Sequence, residues 1–184
     1  MPTKPKTNQP KTPNVLQERD FFQTPNYAVD IIIPYLPKNG VIWECACGNN
    51  KIIRRLTEMG FSAFGSDLRT GHSFFDYLPD FTFDVILTNV PFSLKKEFFD
   101  RAIEIKKPFA FLMPIDFCGW ILRAMKDKGV QWLVPDRRID YITPKGKQGE
   151  ASSAQFHSGW LCYGIDLPRQ ITVVELTKEM KKNI

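Results

Sequence analysis

The chain has 184 residues, of which 43% are hydrophobic and 24% charged, a composition typical of one globular domain around one core. We therefore expect no second large recognition domain. The 25 lysines and arginines exceed the 20 aspartates and glutamates, and the net charge of +5 permits a polyanionic partner without requiring one.

The cysteines and the apolar runs limit the class of protein further. Cys45, Cys47, Cys118 and Cys162 show no Cys-x-x-Cys spacing, so they predict neither a zinc site nor a disulfide framework. The longest apolar runs fall far short of the ~20 residues of a membrane span, and the N-terminus has no apolar signal core. We expect a cytoplasmic protein with reduced thiols, without a metal and without a membrane contact.

The N-terminal residues differ in composition from the rest. Residues 1–17 are rich in proline and lysine and have almost nothing apolar to bury, which predicts a flexible basic arm. The arm is either simply solvated or adds non-specific contacts to phosphates. A single domain is expected over residues 18–184.

Structured elements follow in chain order from Thr24. Thr24 as a cap and Pro25 at the first helical position predict a helix that ends before Pro34. Alternating strands and helices follow, and they imply parallel pairing in an α/β sheet. The predicted strands are 41–43, 62–66, 83–88, 109–113 and 131–134, and the predicted helices include one closed by Gly60, one capped by Ser93 and one over 117–125.

The last third of the chain changes character. Short β-like runs at 140–143, 159–163 and 171–176 lack long helices between them and predict an antiparallel hairpin. A polar loop covers residues 144–153. The expected fold class is α/β, a Rossmann-like and mostly parallel sheet with helices on both faces and a C-terminal antiparallel hairpin.

Candidate site residues follow the apolar runs, because the ligand site of an open α/β sheet lies beyond the carboxyl ends of its strands. Glu44–Asn50 is a small-residue turn into a helix N-terminus, which alone is weak evidence of a site. Asp67 stands about 20 residues further on, the offset at which an acid can bind both hydroxyls of a ribose. In isolation Asp67 could equally cap a loop.

The third strand ends in a more specific pattern. Asn89 offers an amide oxygen, Val90 a carbonyl restrained by Pro91, and Phe92 an aromatic ring. Two acceptors can orient the two N–H donors of an exocyclic amine while the nucleobase stacks on the ring. Taken alone, this segment could also be a simple turn.

The order of these segments carries a family resemblance. Phe22–Pro25, Glu44–Asn50, Asp67, Phe75–Asp76 and Asn89–Phe92 resemble the motifs of S-adenosylmethionine-dependent amino methyltransferases, most closely the N6-adenine DNA methyltransferases of bacteria and phages. The resemblance covers residues from about 20 to 165. It implies a class I methyltransferase fold and an Asn-Pro-Pro-Tyr/Phe type of catalytic motif.

The resemblance implies a site for S-adenosylmethionine in four parts. These hold the methionine end, the cofactor loop, the ribose and the cofactor adenine. Gln23, Thr24 and Pro25 would hold the methionine end, and Glu44, Ala46 and Gly48 would line the cofactor loop. Asp67 would bind the ribose, and Phe75 with Asp76 the cofactor adenine. Asp76 could instead cap a loop, with Asp80 or Asp84 in its place.

The resemblance also implies the catalytic roles. Asn89 and the Val90 carbonyl would grip the target amine, Pro91 would restrain the backbone, and Phe92 would stack on an adenine flipped out of DNA. Val90 stands where proline is usual, which keeps the carbonyl but loses rigidity. Cys45 and Asn50 depart from the pattern of the cofactor loop, although asparagine tolerates left-handed geometry.

The expected function is N6-adenine methylation of DNA in a bacterial or phage-infected cell, with a relaxed or short recognition sequence because no long insert is present. The alternatives are amino methylation of RNA or of a protein side chain, and a catalytically silent binding subunit that keeps the fold. Candidate contacts to the nucleic-acid backbone are Lys95, Lys96, Arg137, Arg138, Lys145, Lys147 and the lysines of the arm.

Overall fold

The computed structural model describes residues 20, 22–143 and 156–182. The predicted basic arm over 1–17 and the polar loop over 144–153 lie outside the described residues. In the described ranges no helix has the length and apolarity that a membrane crossing requires.

Seven strands form one sheet. They are β1 (Val41–Glu44), β2 (Ser62–Gly65), β3 (Val85–Asn89), β4 (Phe109–Pro114), β5 (Gln131–Pro135), β6 (Ser158–Tyr163) and β7 (Ile171–Val174). Their order across the sheet is β2-β1-β3-β4-β6-β5-β7. The strand β6 is antiparallel to both of its neighbours, whereas the other neighbouring pairs are parallel.

Four helices cover the sheet. They are α1 (Asn26–Asp30), α2 (Lys51–Glu58), α3 (Lys95–Ile105) and α4 (Gly119–Lys128). The β1-α2-β2 unit extends from the centre of the sheet toward one edge, whereas the β3-α3-β4 unit extends toward the other edge. Because such crossovers are right-handed, α2 and α3 lie on opposite faces of the sheet. Helix α1 packs beside α2, and Phe99 of α3 meets Trp120 of α4 at 5.0 Å between ring centroids. The predicted mostly parallel sheet with helices on both faces is confirmed.

The last three strands of the chain do not lie side by side in the order in which they occur in the sequence. The strand β6 lies between β4 and β5 and is antiparallel to both. The strand β7 pairs in parallel with the far side of β5, and the Gln131 amide donates to the carbonyls of Leu167 and Arg169 in the connection that leads to β7. The run at 140–143 contributes only an isolated bridge between Ile142 and Gln23.

Two predicted helix starts differ from the structure. Helix α1 begins one residue after Pro25, which itself occupies the N-cap position, and no side chain caps it. Helix α3 begins at Lys95, and Ser93 lies in the short 3-10 turn before it. Ser93 does not cap α3, because its hydroxyl donates to the carboxylate of Asp20 instead, at 2.8 Å.

Large aromatic side chains fill the layers between sheet and helices. Trp43, Trp132 and Trp160 are fully buried, and such rings supply much of the apolar area of a core. The Trp160 indole N–H donates to the Ala28 carbonyl at 2.8 Å and so links β6 to α1. The prediction that Trp160 belongs to the core is confirmed.

Candidate active site

A cavity of about 340 Å³ opens at the carboxyl ends of β1, β2 and β3. The structure brings ten of the predicted site residues to its wall, namely Gln23, Thr24, Glu44, Ala46, Gly48, Asp67, Phe75, Asp76, Asn89 and Pro91. Three predicted residues, Pro25, Val90 and Phe92, do not line it. The parallel strands therefore gather motifs that stand up to 68 residues apart in the chain, from Gln23 to Pro91.

The loop after β1 makes a tight turn against β2. Gly48 and Asn50 both have left-handed backbone angles, with φ of 51° and 60°, so Asn50 tolerates this conformation as predicted. The Cys47 N–H donates to the Ser66 carbonyl at 3.0 Å. At Gly65 a Cβ atom would lie 2.4 Å from the Ile53 side chain and 2.7 Å from Cys47 Cβ, so only glycine lets the loop pack this closely.

Asp67 lies at the end of β2 and its carboxylate binds the cofactor loop. Oδ2 accepts from the Gly48 N–H at 2.8 Å, and Oδ1 accepts from both the backbone N–H and Nε of Arg69 at 2.9 Å. Burial raises the pKa of Asp67, but the hydrogen bonds from Arg69 and Gly48 outweigh that effect and hold the pKa below its ordinary value. The group is therefore a carboxylate at neutral pH.

Glu44, at the end of β1, is in the opposite situation. Its side chain is 2% exposed, and its Oε2 has no hydrogen-bond partner among the described residues. The carboxyl group accepts a hydrogen bond from the Ile53 N–H in the first turn of α2. Burial, and secondarily the charge of Asp67, raises the pKa of Glu44 well above its usual range, so the cavity contains one acceptor that is buried and unpaired.

Asn89 ends β3 with its amide held in one direction. Nδ2 donates to the Phe22 carbonyl at 3.1 Å, and Oδ1 is buried without a partner in the described part of the chain. The Val90 N–H donates to the Leu112 carbonyl of β4 at 3.2 Å. This ladder bond restrains the backbone at the position where the resemblance would have proline.

The segment around Phe22 is anchored to the catalytic turn by Asp20. Its two carboxylate oxygens accept from the N–H of Ser93 at 3.1 Å and from the hydroxyl of Ser93 at 2.8 Å. Asp20 also lines the cavity. Sequence reasoning missed this residue, and no local pattern around it signals a contact 73 residues further along the chain.

Phe92 lies next to the cavity in a cluster of rings that we call the aromatic cluster, formed by Phe22, Phe92, Tyr141 and Phe156. Phe92 is 6% exposed. Its centroid lies 5.2 Å from that of Phe156, edge to face, and 6.0 Å from that of Tyr141. Phe156 belongs to the segment before β6 and was not predicted as a site residue.

The end of the cavity near Phe75 and Asp76 is lined by further rings. Phe98 of α3 stacks on Phe74 at 4.9 Å and meets Phe75 edge to face at 5.3 Å. Asp84, considered as a substitute for Asp76, lies elsewhere, because its carboxylate accepts from the Val41 N–H at 2.8 Å. Asp76 is therefore the acid that the structure brings to this end.

Several predicted backbone-binding cations already have acidic neighbours. Lys95 pairs with Asp116 at 2.7 Å, and Lys96 pairs with Asp100 one turn further along α3. Arg137 and Arg138 are exposed, and Lys145 and Lys147 lie outside the described residues. Within the described ranges, no group of His, Cys, Asp and Glu side chains is arranged to hold a metal ion.

The mixed sheet of the described residues, in which β6 is antiparallel to both of its neighbours, agrees with the class I methyltransferase fold that the sequence predicts. The chain is similar to a dimethyladenosine transferase from Plasmodium falciparum, with 10% identity and a TM-score of 0.43, over 79% of this chain and 63% of that one. It is also similar to a TehB-like SAM-dependent methyltransferase from Corynebacterium glutamicum, with 13% identity and a TM-score of 0.44, over 76% and 88% of the two chains.

A third solved structure, the 23S rRNA methyltransferase ErmE, shares 11% identity and a TM-score of 0.47, over 88% of this chain and 75% of that one. No protein-family model and no curated protein matches the sequence. The topology of the sheet defines the fold.

Proposed function

We propose that the chain is an S-adenosylmethionine-dependent methyltransferase that acts on the exocyclic N6 amine of adenine in DNA. The observation that carries the proposal is the unpaired, buried Oδ1 of Asn89, which lines the same cavity as Asp67 and Glu44. A residue with a free amide acceptor and two acidic residues, of which Asp67 is ionised, thus line one cavity.

The residues present fit this cofactor. A ribose offers two hydroxyl donors, and Asp67 is an ionised acceptor at the end of β2. A sulfonium and an ammonium group are cationic, and the unpaired Oε2 of Glu44 lies in the wall of the same cavity. The rings of Phe75 and Phe98 supply the apolar surface on which a purine can pack.

The chain's own task in the reaction is to orient the acceptor amine. S-adenosylmethionine, when bound, supplies an electrophilic methyl group. The Asn89 Oδ1 accepts a hydrogen bond from one N–H of the amine. The Val90 carbonyl, whose residue does not line the cavity in this structure, accepts from the other N–H once the base has entered beside Phe92, and the two bonds direct the lone pair of the amine toward the methyl group. Because the Asn89 amide is held by the Phe22 carbonyl, Oδ1 needs no reorganisation before the amine arrives.

The target base requires room beside Phe92. In the structure the Phe156 ring lies against Phe92 in an edge-to-face contact. A base that stacks on Phe92 takes the place of that ring, and an adenine in duplex DNA must first be flipped out. The aromatic cluster is therefore expected to open when the nucleic acid binds.

The test follows transfer of a labelled methyl group. Purified protein is incubated with tritiated S-adenosylmethionine and unmethylated DNA or RNA, and the nucleosides are separated after digestion. Label in N6-methyl-2′-deoxyadenosine is the expected result. Label in RNA alone would move the acceptor to RNA, and cofactor binding without transfer to any acceptor would identify a silent relative.

The Asn89→Ala variant tests the assignment of the amine acceptor. We expect transfer to fall by about 10²-fold or more, because a preorganised acceptor in a buried site contributes on that scale. Binding of S-adenosylhomocysteine should change little. Asn49→Ala changes an exposed asparagine of the cofactor loop and is the matched control; full activity of Asn89→Ala would exclude the proposed role.

A further inference from the structure

An acidic and a basic side chain, Glu44 and Lys51, line the cavity near the start of α2. Glu44 has one carboxylate oxygen bonded by the Ile53 N–H and the other unpaired. Lys51 is the first residue of α2 and lines the same cavity. Since Ile53 and Lys51 both belong to the first turn of α2, this turn brings the ammonium and the carboxyl group to one wall.

The position of Lys51 is unfavourable without a ligand. Lys51 forms no ion pair or hydrogen bond through its ammonium group among the described residues, and Asn50, which precedes it, gives α2 no side-chain cap. The positive end of the helix dipole disfavours a cation in the first turn. Partial burial, and secondarily the nearby Arg54, lowers the pKa of the Lys51 ammonium. An anion bound in the cavity would offset both the unfavourable helix dipole and the burial of the ammonium group.

Because Lys51 and Glu44 line the same cavity, a ligand that satisfies both groups must carry an anionic group and a cationic group. An α-amino acid does so, because its ammonium and its carboxylate are attached to one carbon atom. We propose that Lys51 binds the carboxylate of the methionine end of the cofactor while the free oxygen of Glu44 accepts its ammonium. This inference rests on the proposed function, since it assigns one end of the same cofactor.

The assignment differs from the one that the resemblance implies, which gives the methionine end to Thr24 and its neighbours. Thr24 lines the cavity but its side chain is 4% exposed and offers no charge. A hydroxyl can add one hydrogen bond to the carboxylate, whereas a charged donor forms a bond about twice as strong. Lys51 is thus the residue that selects a ligand with an amino-acid end.

The test compares two ligands that differ only in that end. S-adenosylhomocysteine carries the amino acid, and 5′-methylthioadenosine has the same nucleoside and a thioether without it. Their binding is measured by calorimetry for the wild type, Lys51→Met, Lys51→Glu and Arg54→Met. Arg54 is the exposed cation on the next part of α2 and does not line the cavity, so its variant is the matched control.

For Lys51→Met we expect affinity for S-adenosylhomocysteine to fall about tenfold, the loss in affinity that corresponds to removing one charge-assisted hydrogen bond. Lys51→Glu should lose more, and Arg54→Met should resemble the wild type. Affinity for 5′-methylthioadenosine should stay within about twofold in all variants, because the nucleoside contacts are unchanged.

Two outcomes would overturn the inference alone. Wild-type affinity of both Lys51 variants for S-adenosylhomocysteine would show that the ammonium does not contact the ligand. An equal loss for both ligands would show that Lys51 acts on the fold of the loop. If the wild type bound neither ligand, the proposed function would fail, and the inference with it; circular dichroism confirms that each variant is folded.

Discussion

At the scale of single residues, the polar groups of the cavity differ in what they already bind. Asp67 has hydrogen bonds to both oxygens, whereas Glu44 and Asn89 each keep one buried oxygen unpaired. An unpaired buried acceptor costs free energy in the absence of a ligand. A ligand donor that reaches either oxygen would remove that cost.

The pH dependence of stability should reveal the strain at Glu44. Because burial raises its pKa, the folded chain retains a proton that the unfolded chain, with a glutamate pKa near 4.3, releases as the pH rises. The contribution of the protonated group is complete at low pH and is lost as the pH rises toward the folded pKa. We expect Glu44→Gln to melt at a higher temperature than the wild type at about pH 8, with the difference vanishing near pH 4.

Thermal unfolding across this pH range, followed by circular dichroism, measures the effect. Glutamine keeps an oxygen that can accept from the Ile53 N–H, so the contact with α2 survives. Glu58→Gln, at an exposed position of α2, is the control and should show no such trend. A Glu44→Gln variant that is less stable than the wild type at high pH would contradict the prediction.

At the scale of elements, the turn that follows β3 depends on a segment far away in the chain. Asp20 holds Ser93, and two residues after Asp20 the Phe22 carbonyl holds the Asn89 amide. The two contacts together hold Asp20 and Phe22 against the turn that follows β3. Orientation of the amide oxygen is therefore a property of two elements and not of the Asn89 motif alone.

Ser93→Ala should weaken these contacts. The variant removes the hydroxyl that donates to Asp20 but leaves the cavity-lining side chains in place. We expect kcat to fall by about threefold to tenfold, the effect of one charge-assisted hydrogen bond, and the dissociation constant of S-adenosylhomocysteine to change less. Steady-state kinetics and calorimetry separate the two quantities.

The control is Ser62→Ala, at an exposed position on β2. An unchanged kcat in Ser93→Ala would mean that Asn89 is oriented without the contact between the Ser93 hydroxyl and Asp20. A parallel loss of kcat and of cofactor affinity would instead mean that the 20–24 segment mainly shapes the cofactor cavity.

How far the sequence predicted the site depends on which elements carry its residues. Glu44, Asp67 and Asn89 follow apolar strands directly, and parallel strands bring their carboxyl ends to one edge, so the strand pattern was sufficient. Asp20 and Phe156 lie outside the strands and the α-helices. Their positions depend on tertiary contacts, such as the bond to Ser93, that no local periodicity encodes.

The error at Ser93 has the same cause. Serine before an apolar helix is a good cap in local terms, but a carboxylate from 73 residues earlier in the chain accepts from its hydroxyl. Lys51 was missed for another reason. A lysine in the first turn of an amphipathic helix is usually solvated. Only the unpaired carboxyl oxygen of Glu44, which lines the same cavity, indicates that Lys51 has a role in ligand binding.

At the scale of the whole molecule, a hydrogen bond joins the C-terminal part of the sheet to the N-terminal helix. The Trp160 indole of β6 donates to the Ala28 carbonyl of α1, across 132 residues of sequence. Trp132 of the neighbouring strand is equally buried, but its indole N–H has no partner among the described residues. The two tryptophans are thus equally buried, but their indole N–H groups differ, because that of Trp160 donates a hydrogen bond and that of Trp132 has no partner among the described residues.

Trp160→Phe should destabilise the protein more than Trp132→Phe. Both variants lose similar apolar volume, but Trp160→Phe also leaves the buried Ala28 carbonyl unpaired, which costs about 1–3 kcal/mol. Trp132→Phe removes a donor that was unsatisfied. Urea unfolding, with equal m-values for the two variants, gives the difference in free energy of unfolding, and equal costs would contradict the assignment.

The place of β6 in the sheet also bears on the order in which the chain can assemble during synthesis. The strands β1 to β4 are complete once residue 114 has emerged from the ribosome, and they can pair without later segments. The strand β5 cannot join them at that stage, because its neighbour toward β4 is β6, which ends at Tyr163. For about 28 residues of elongation beyond Pro135, β5 therefore has no partner toward β4, and an unpaired strand edge of this kind favours association between chains.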